Sequence, residues 1–188
     1  MKITPFFTNI WLFDTEYDYS EEIDTCYQVE KTTPSVKISN IFGYQSPSYN
    51  KFEIDKLFPN LNKKIIPYLE NVVKELNFSL SLRNFWININ RKNCYNIPHG
   101  HPGSTMSAVL YLKADEKSGN IVFENPTLSH SYPINDTNSM FFGSWEIQPK
   151  QGRFIIFPSF LRHSVIPNQE DDTRISIALN FIDENVKF

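Results

Sequence analysis

Alternation of apolar and polar residues dominates the second half of the chain. Large apolar side chains recur at Phe85, Ile87 and Ile89, so they share one face of an extended segment. Further short segments have the composition of strands, namely Met106–Lys113, Gly119–Glu124, Ser139–Phe142, Arg153–Phe157 and Arg174–Phe181. Turn residues separate these segments, and no long helix intervenes. The pattern predicts a mainly β fold, either a sandwich or a double-sheet jelly roll.

The N-terminal third has a different pattern. Ile10 to Phe13 is compatible with a first strand, and the acidic stretch from Asp14 to Ser35 is expected to be loop-rich or a short helix. Apolar residues follow the helical period from Leu61 to Leu76, which predicts a helix that supports the outside of a sheet. Pro67 falls inside this span, so the helix is either kinked or begins near Pro67.

The length of 188 residues fits one domain with a sizeable core. We expect an N-terminal strand and support-helix region at 1–83 and a jelly-roll metal-binding core at 84–182. The formal net charge of -3 provides no general positive field, so generic nucleic-acid binding is not expected.

Neither membrane insertion nor secretion is expected from the sequence. No run reaches the roughly 18 apolar residues that span a bilayer, and residues 1–13 lack the pattern of a signal peptide. Cys26 and Cys94 fit neither a metal spacing nor a disulfide framework. We therefore predict a soluble, cytoplasmic protein.

Three of the four histidines lie in two short motifs, His99-Gly-His101 and the segment that ends at His163. Residues i and i+2 of an extended segment point the same way, so His99 and His101 can face one pocket. Three convergent imidazoles suffice to hold iron, zinc, copper or nickel. We predict a metal site formed by these three histidines. The alternative is that they are ordinary loop and surface residues.

A strand that begins at Arg174 carries small and polar residues on one face. Arg174, Ser176, Ala178 and Asn180 alternate with large apolar residues that belong to the core. A guanidinium group grips a carboxylate with two parallel donors, and the Ser176 hydroxyl adds a third. This pattern predicts an anion site. The alternative is a structural salt bridge from Arg174 to Asp171 or Asp172.

Tyr111 and Asn88 are further candidates for the same cavity. Tyr111 shares a strand face with Ser107 and could donate its hydroxyl to a bound carboxylate, while Asn88 could line the cavity from a neighbouring strand. Buried tyrosines and asparagines more often only satisfy nearby backbone groups, so a purely structural role is the competing explanation.

Taken together, these segments resemble the Fe(II)/2-oxoglutarate-dependent dioxygenase superfamily, in particular a 2OG-Fe(II) oxygenase branch of bacteria and phages. The likeness covers roughly residues 84 to 182. The segments that carry it are Trp86–Asn90, Asn96–Pro102, Ser107–Leu112, Phe157–Ser159, His163–Val165 and Arg174–Ser176. The resemblance implies a double-stranded β-helix, Fe(II) as the metal and 2-oxoglutarate as the co-substrate.

The resemblance also implies roles for individual residues. His99 and His163 take two metal-ligand positions, and Arg174 with Ser176 takes the position that grips the far carboxylate of 2-oxoglutarate. Position 101 departs from the family, because a histidine stands where a carboxylate is expected. Either the metal has three histidine ligands, which we favour, or one of the paired histidines lies beside the site and a carboxylate such as Glu124 replaces it.

The activity implied is oxygen-dependent hydroxylation of a peptidyl side chain, an amino acid or a small metabolite. A homodimer is one possible oligomeric state. Two rival interpretations predict different behaviour. A cupin-like three-histidine metalloenzyme would bind metal without using 2-oxoglutarate. A non-catalytic jelly-roll binding module would bind metal poorly and tolerate replacement of His99 or His163.

Overall fold

The computed structural model describes residues 8–126 and 143–185. Three helices precede most of the sheet, α1 (Ser20–Thr32), α2 (Ile54–Leu57) and α3 (Leu61–Leu76). The early strands are β1 (Trp11–Asp14), β2 (Asn40–Ile41), β3 (Tyr44–Gln45) and β4 (Tyr49–Asn50). The later strands are β5 (Leu80–Asn90), β6 (Tyr95–His99), β7 (Met106–Lys113), β8 (Ile121–Glu124), β9 (Ser144–Ile147), β10 (Arg153–Pro158), β11 (His163–Val165) and β12 (Arg174–Asp183).

The strands form two antiparallel sheets. The larger sheet has the order β1-β10-β7-β12-β5-β3, with β4 also paired to β5, and the smaller sheet has the order β2-β6-β11-β8-β9. Strands that are distant in sequence are neighbours in both sheets, as in a double-stranded β-helix. The prediction of a mainly β jelly roll with supporting N-terminal helices is confirmed. The predicted strand Ser139–Phe142 lies outside the described residues.

The two faces of the larger sheet have different partners. One face packs against the helices through alternate residues of β5 and β12, including Ile87 and Ile177, which belong to one apolar cluster with the buried residues of α1 and α3. A second apolar cluster lies between the sheets and contains Tyr111, Phe123 and Phe157. The alternation in β5 and β12 therefore places their polar face inside the double sheet, as the sequence predicted.

Helix α3 begins at Leu61 and continues through Pro67, so the alternative of a start near Pro67 is wrong. Its stripe of buried residues includes Leu61, Ile65 and Val72. The helix ends at Asn77, which adopts the left-handed conformation (φ 54°) that asparagine tolerates better than most residues.

Helix α1 is longer than the short helix or loop expected from its polar sequence. Its buried stripe consists of Glu22, Cys26 and Val29, so one of the three positions carries a charge and the apolar period is weak. Glu22 is paired with Lys64 of α3 at 2.7 Å. This ion pair explains how a carboxylate occupies the buried side of the helix. No helix among the described residues is long and apolar enough to cross a membrane.

Candidate metal centre

The structure brings the three predicted histidines together between the two sheets. His99 ends β6 and His163 begins β11, and the two residues are direct partners in the antiparallel pairing of these strands. His101 lies two residues beyond β6, where its backbone N–H donates to the carbonyl of Ser159. The ring centroids are 4.4 Å apart for His99 and His163 and 5.1 Å apart for each pair that includes His101.

Backbone carbonyls orient two of these imidazoles. Nδ1 of His99 lies 2.7 Å from the carbonyl oxygen of Ile97, and Nδ1 of His163 lies 2.9 Å from that of Leu161. A carbonyl oxygen can only accept, so both Nδ1 atoms carry the hydrogen and donate it. The Nε2 atom of each ring therefore keeps its lone pair, as a metal ligand requires.

Burial keeps the three imidazoles neutral. Burial, reinforced by the neighbouring histidines, lowers the pKa of His163 to about 3, and burial with the adjacent His99 lowers the pKa of His101 to about 4. Burial also lowers the pKa of His99. The possible ligand atoms all lie within 4.8 Å of one another. Three neutral nitrogen donors at this separation fit a borderline divalent metal such as Fe(II).

Glu124 does not join this cluster. Its carboxylate accepts from Nε of Arg162 at 2.9 Å, and Glu124 follows Phe123, the cross-strand partner of His163. Side chains alternate along a strand, so Glu124 points to the face away from the histidines. Among the described residues the candidate metal-binding group consists of the three histidines alone. The alternative ligand set with Glu124 finds no support in this arrangement.

Arg174 is buried on the inner face of β12, with only 2% of its surface exposed. Its Nη1 donates to the carbonyl oxygens of Ser118 at 2.5 Å and Gly119 at 3.1 Å. These neutral acceptors orient the guanidinium without neutralising its charge. Burial lowers the pKa of Arg174 from its very high ordinary value, as expected for a cation without an anionic neighbour.

The salt bridge proposed as an alternative for Arg174 is absent. Asp171 pairs with Lys92 at 2.6 Å, and Asp172 pairs with Lys113 at 2.7 Å. No carboxylate within residues 8–126 and 143–185 forms an ion pair with Arg174. The buried cation therefore faces the cavity without a counter-charge from the described part of the chain.

The other predicted site residues line the same cavity. Ser176 lies opposite Asn88 of β5 and Tyr111 of β7 in the strand pairing, so the three form one rung across the sheet. Burial raises the pKa of Tyr111 to about 12, so its hydroxyl stays protonated and can donate. Asn88 accepts from Nδ2 of Asn40 at 3.3 Å, which directs its own amide hydrogens elsewhere.

Several residues of the cavity wall were not predicted, among them Trp86, Ser39 and Asn96. Trp86 packs on His101 with ring centroids 5.3 Å apart, and alternation with Asn88 was a signal that could have found it. Ser39 and Asn96 also line the cavity. Ser39 lies in a segment whose strands have only two residues, which is too short for a recognisable period.

Gly119 positions Arg174, because its backbone has φ +98° and an added Cβ would collide with the carbonyl oxygen of Ile166 and lie 2.7 Å from Nη1 of Arg174. We expect Gly119→Ala to lower the free energy of unfolding by about 2 kcal/mol. We also expect it to weaken the binding of a carboxylate at Arg174 by about tenfold, since the guanidinium must move. Denaturant unfolding and calorimetry measure the two effects.

Gly143→Ala is the matched control, since an added Cβ there meets nothing within 4 Å. Its stability should match the wild type. If Gly119→Ala were as stable as this control, the close approach of Gly119 to Arg174 would not contribute to the free energy of unfolding.

The family of the chain follows from its sequence. Residues 84–180, more than half of the 188, match the family model described as "Putative 2OG-Fe(II) oxygenase". The chain belongs to this family. The oxygenase thus carries its family motifs in β5 to β12, the strands that hold the histidines and Arg174. The comparison with curated proteins finds no matching relative.

Solved structures with the same fold share little sequence with this oxygenase. The α-ketoglutarate-dependent epimerase SnoN from nogalamycin biosynthesis superposes with a TM-score of 0.68 at 12% identity, over 94% of this chain and 77% of the other. HygX from Streptomyces hygroscopicus, with nickel and 2-oxoglutarate bound, gives 0.66 at 12%, over 94% and 84%. A prolyl hydroxylase from Trichoplax adhaerens in complex with a hypoxia-inducible-factor peptide gives 0.64 at 13%, over 94% and 84%.

The family agrees with the predicted cofactors. The enzyme is a 2OG-Fe(II) oxygenase that uses Fe(II) and 2-oxoglutarate. This assignment excludes both rival interpretations. The protein is neither a metalloenzyme that does not use 2-oxoglutarate nor a non-catalytic binding module.

Proposed function

We propose that this oxygenase hydroxylates a C–H bond of a small molecule, an amino acid or a peptidyl side chain. In this proposal Fe(II) is held by His99, His101 and His163, and 2-oxoglutarate is held through Arg174. One observation carries the proposal. A buried guanidinium without an anionic partner in the described part of the chain faces the same cavity as three converged neutral imidazoles.

The charge of Arg174 requires an anion in the cavity. An isolated cation at 2% exposure is costly unless it is paired, and backbone carbonyls alone compensate it incompletely. The far carboxylate of 2-oxoglutarate supplies the missing charge. Ser176 and Tyr111 lie on the next rung and offer two neutral hydroxyl donors for the same carboxylate. Asn88 faces the cavity beside Ser176 and offers its amide hydrogens to the bound co-substrate.

The protein contributes position and a dry environment to the reaction. When bound, Fe(II) activates oxygen and 2-oxoglutarate supplies two electrons. Phe157 packs edge-on against His163 with ring centroids 4.8 Å apart, and Phe123 lies on the same ring at 5.8 Å. These apolar side chains exclude water from one side of the imidazole and hold it in one orientation.

His101 is proposed as the third ligand in place of the usual carboxylate. Trp86 packs on its ring, and the Ser159 carbonyl fixes its backbone, so the imidazole is held beside the other two. With a neutral ligand, the net charge of the metal centre is one unit more positive than with a carboxylate. This difference favours additional anionic or electron-rich ligands and shifts the metal preference toward softer divalent ions.

The substrate and surroundings of the enzyme are also proposals. Proteins of similar fold include SnoN, an epimerase from nogalamycin biosynthesis, and the Trichoplax prolyl hydroxylase, which is seen with a peptide. The cavity between the sheets is compatible with either class of substrate, together with oxygen. We propose that the enzyme is cytoplasmic. Its oligomeric state, monomer or homodimer, is to be decided by measurement.

Anaerobic titration of the Fe(II) protein with 2-oxoglutarate tests the assignment of the site. We expect a visible metal-to-ligand charge-transfer band that saturates at one equivalent of 2-oxoglutarate, because both cofactors meet in one cavity. Admission of oxygen should then convert 2-oxoglutarate to succinate. Metal binding without this band would contradict the proposal and favour a three-histidine centre that does not take 2-oxoglutarate.

A further inference from the structure

Ser39 and Asn96 form a polar pair in the wall of the cavity that contains the histidines and Arg174. Asn96 belongs to β6, the strand that ends at His99, and Ser39 immediately precedes β2, which pairs with β6. Both are more than nine-tenths buried, with 4% and 7% of their surfaces exposed. Nδ2 of Asn96 donates to Oγ of Ser39 at 3.2 Å.

Both members of the pair keep hydrogen-bonding groups beyond the bond that joins them, and for Asn96 these include the second amide N–H. The Ser39 hydroxyl accepts from Asn96, so its own hydrogen remains available, and Oδ1 of Asn96 has no partner within residues 8–126 and 143–185. In this part of the chain, Oδ1 of Asn84 is the one fully enclosed side-chain polar atom without a partner. Oδ1 of Asn96 is therefore not fully enclosed, and both Asn96 and Ser39 line the cavity.

The pair thus presents an acceptor, Oδ1 of Asn96, together with donors from the Ser39 hydroxyl and the second N–H of Asn96. The presence of both kinds of group does not depend on the orientation of the Asn96 amide. If the amide is turned over, Ser39 donates to Oδ1, and the free groups become the two N–H groups of Asn96 and a lone pair of Ser39. Either orientation offers at least one donor and one acceptor to the same ligand group.

We propose that this pair binds a primary carboxamide of the substrate. The inference rests on the proposed function and names the substrate class of that same site. A primary carboxamide presents a carbonyl oxygen and an N–H on one edge, which match the donor and the acceptor. A carboxylate presents two acceptors, so one of its oxygens faces the acceptor of the pair and is repelled.

The surroundings of the pair favour a neutral substrate group. Arg174, which we assign to 2-oxoglutarate, carries the one formal charge among the described lining residues at neutral pH. Ser39 lies outside residues 84–180, the part that matches the family model. The metal and co-substrate residues and Asn96 lie inside that part, so the pair joins a residue of the matched region to one from outside it.

Calorimetry on the protein loaded with Ni(II) and 2-oxoglutarate tests the proposal without turnover. The probes are matched pairs of amide and acid, namely L-asparagine with L-aspartate, L-glutamine with L-glutamate, and Gly-Gln-Gly with Gly-Glu-Gly. In at least one pair we expect the amide to bind about tenfold or more tightly than the acid. This comparison uses the wild-type protein, so it does not depend on a variant that folds.

Variants then locate the preference. Asn96→Val removes the acceptor, and the remaining Ser39 hydroxyl can donate to an amide or an acid equally well, so the preference should fall to within about threefold. The 2-oxoglutarate affinity should be unchanged. Asn120→Val is the matched control, since Asn120 bonds to Glu146 outside the cavity. It should keep the full preference.

The outcomes separate this proposal from the proposed function. Wild-type protein that binds Ni(II) and 2-oxoglutarate but shows no amide preference in any pair would overturn the carboxamide site and leave the oxygenase site standing. A preference that survives in Asn96→Val would also overturn it. Wild-type protein that fails to bind 2-oxoglutarate would instead contradict the proposed function.

Discussion

Replacement of Arg174 by methionine is expected to weaken 2-oxoglutarate binding by about 100-fold or more. Truncation of one partner of a buried, hydrogen-bonded charge pair costs roughly 2–5 kcal/mol, because the other charge is left without a partner. Methionine has a similar length and keeps the space filled. Calorimetric titration of the Ni(II) protein with 2-oxoglutarate measures the loss.

The stability of the Arg174→Met protein without ligands should behave differently. Removal of a buried cation that has no anionic partner in the described part of the chain relieves its desolvation cost, which offsets the lost bonds to Ser118 and Gly119. We expect the free energy of unfolding to change by less than about 1 kcal/mol. A large loss of stability together with unchanged 2-oxoglutarate affinity would show that Arg174 is structural.

Replacement of His163 by alanine is expected to lower the affinity for Fe(II) or Ni(II) by about 100-fold or more. His163 is the most buried of the three histidines and lies between His99 and two phenylalanine rings, so no neighbouring side chain can take its place. Changes in outer partners of metal ligands already cost about 10–100-fold, and loss of a ligand should cost at least as much. Competition with a chelating dye measures the affinity.

His101→Asp provides the matched control for the histidine set. Aspartate supplies an anionic oxygen ligand at the same position, so we expect metal binding to persist while His101→Ala weakens it. Equal metal affinity in wild type and in His101→Ala would remove His101 from the ligand set. The same result for His163→Ala would contradict a metal centre at this position.

Local patterns were sufficient to predict which side chains share a face. Side chains alternate along every strand, so the sequence alone placed Arg174 and Ser176 on one side of β12 and Ile175 and Ile177 on the other, and the structure confirms that division. The same rule placed Asn88 on the opposite face of β5 from the core residues Phe85, Ile87 and Ile89. The helix from Leu61 to Leu76 was likewise predicted from its period.

Weak or short patterns escaped prediction. Helix α1 has a charged residue in its buried stripe, and only its ion pair with Lys64 makes that position acceptable. Strands β2, β3 and β11 have two or three residues, which is less than the length over which alternation can be recognised. Their existence depends on partners supplied by other strands.

The sequence by itself therefore determined the fold class, the family and the set of candidate residues, because alternation and motif spacing are local properties of the chain. The tertiary structure alone decided which candidates meet. Pairing of β6 with β11 sets His99 beside His163, and pairing of β8 with β11 turns Glu124 away. Asp171 and Asp172 pair with lysines and not with Arg174. Pairing of β2 with β6 brings Ser39 to the cavity. These contacts depend on strand order and register, which arise from burial of the whole double sheet rather than from any one segment.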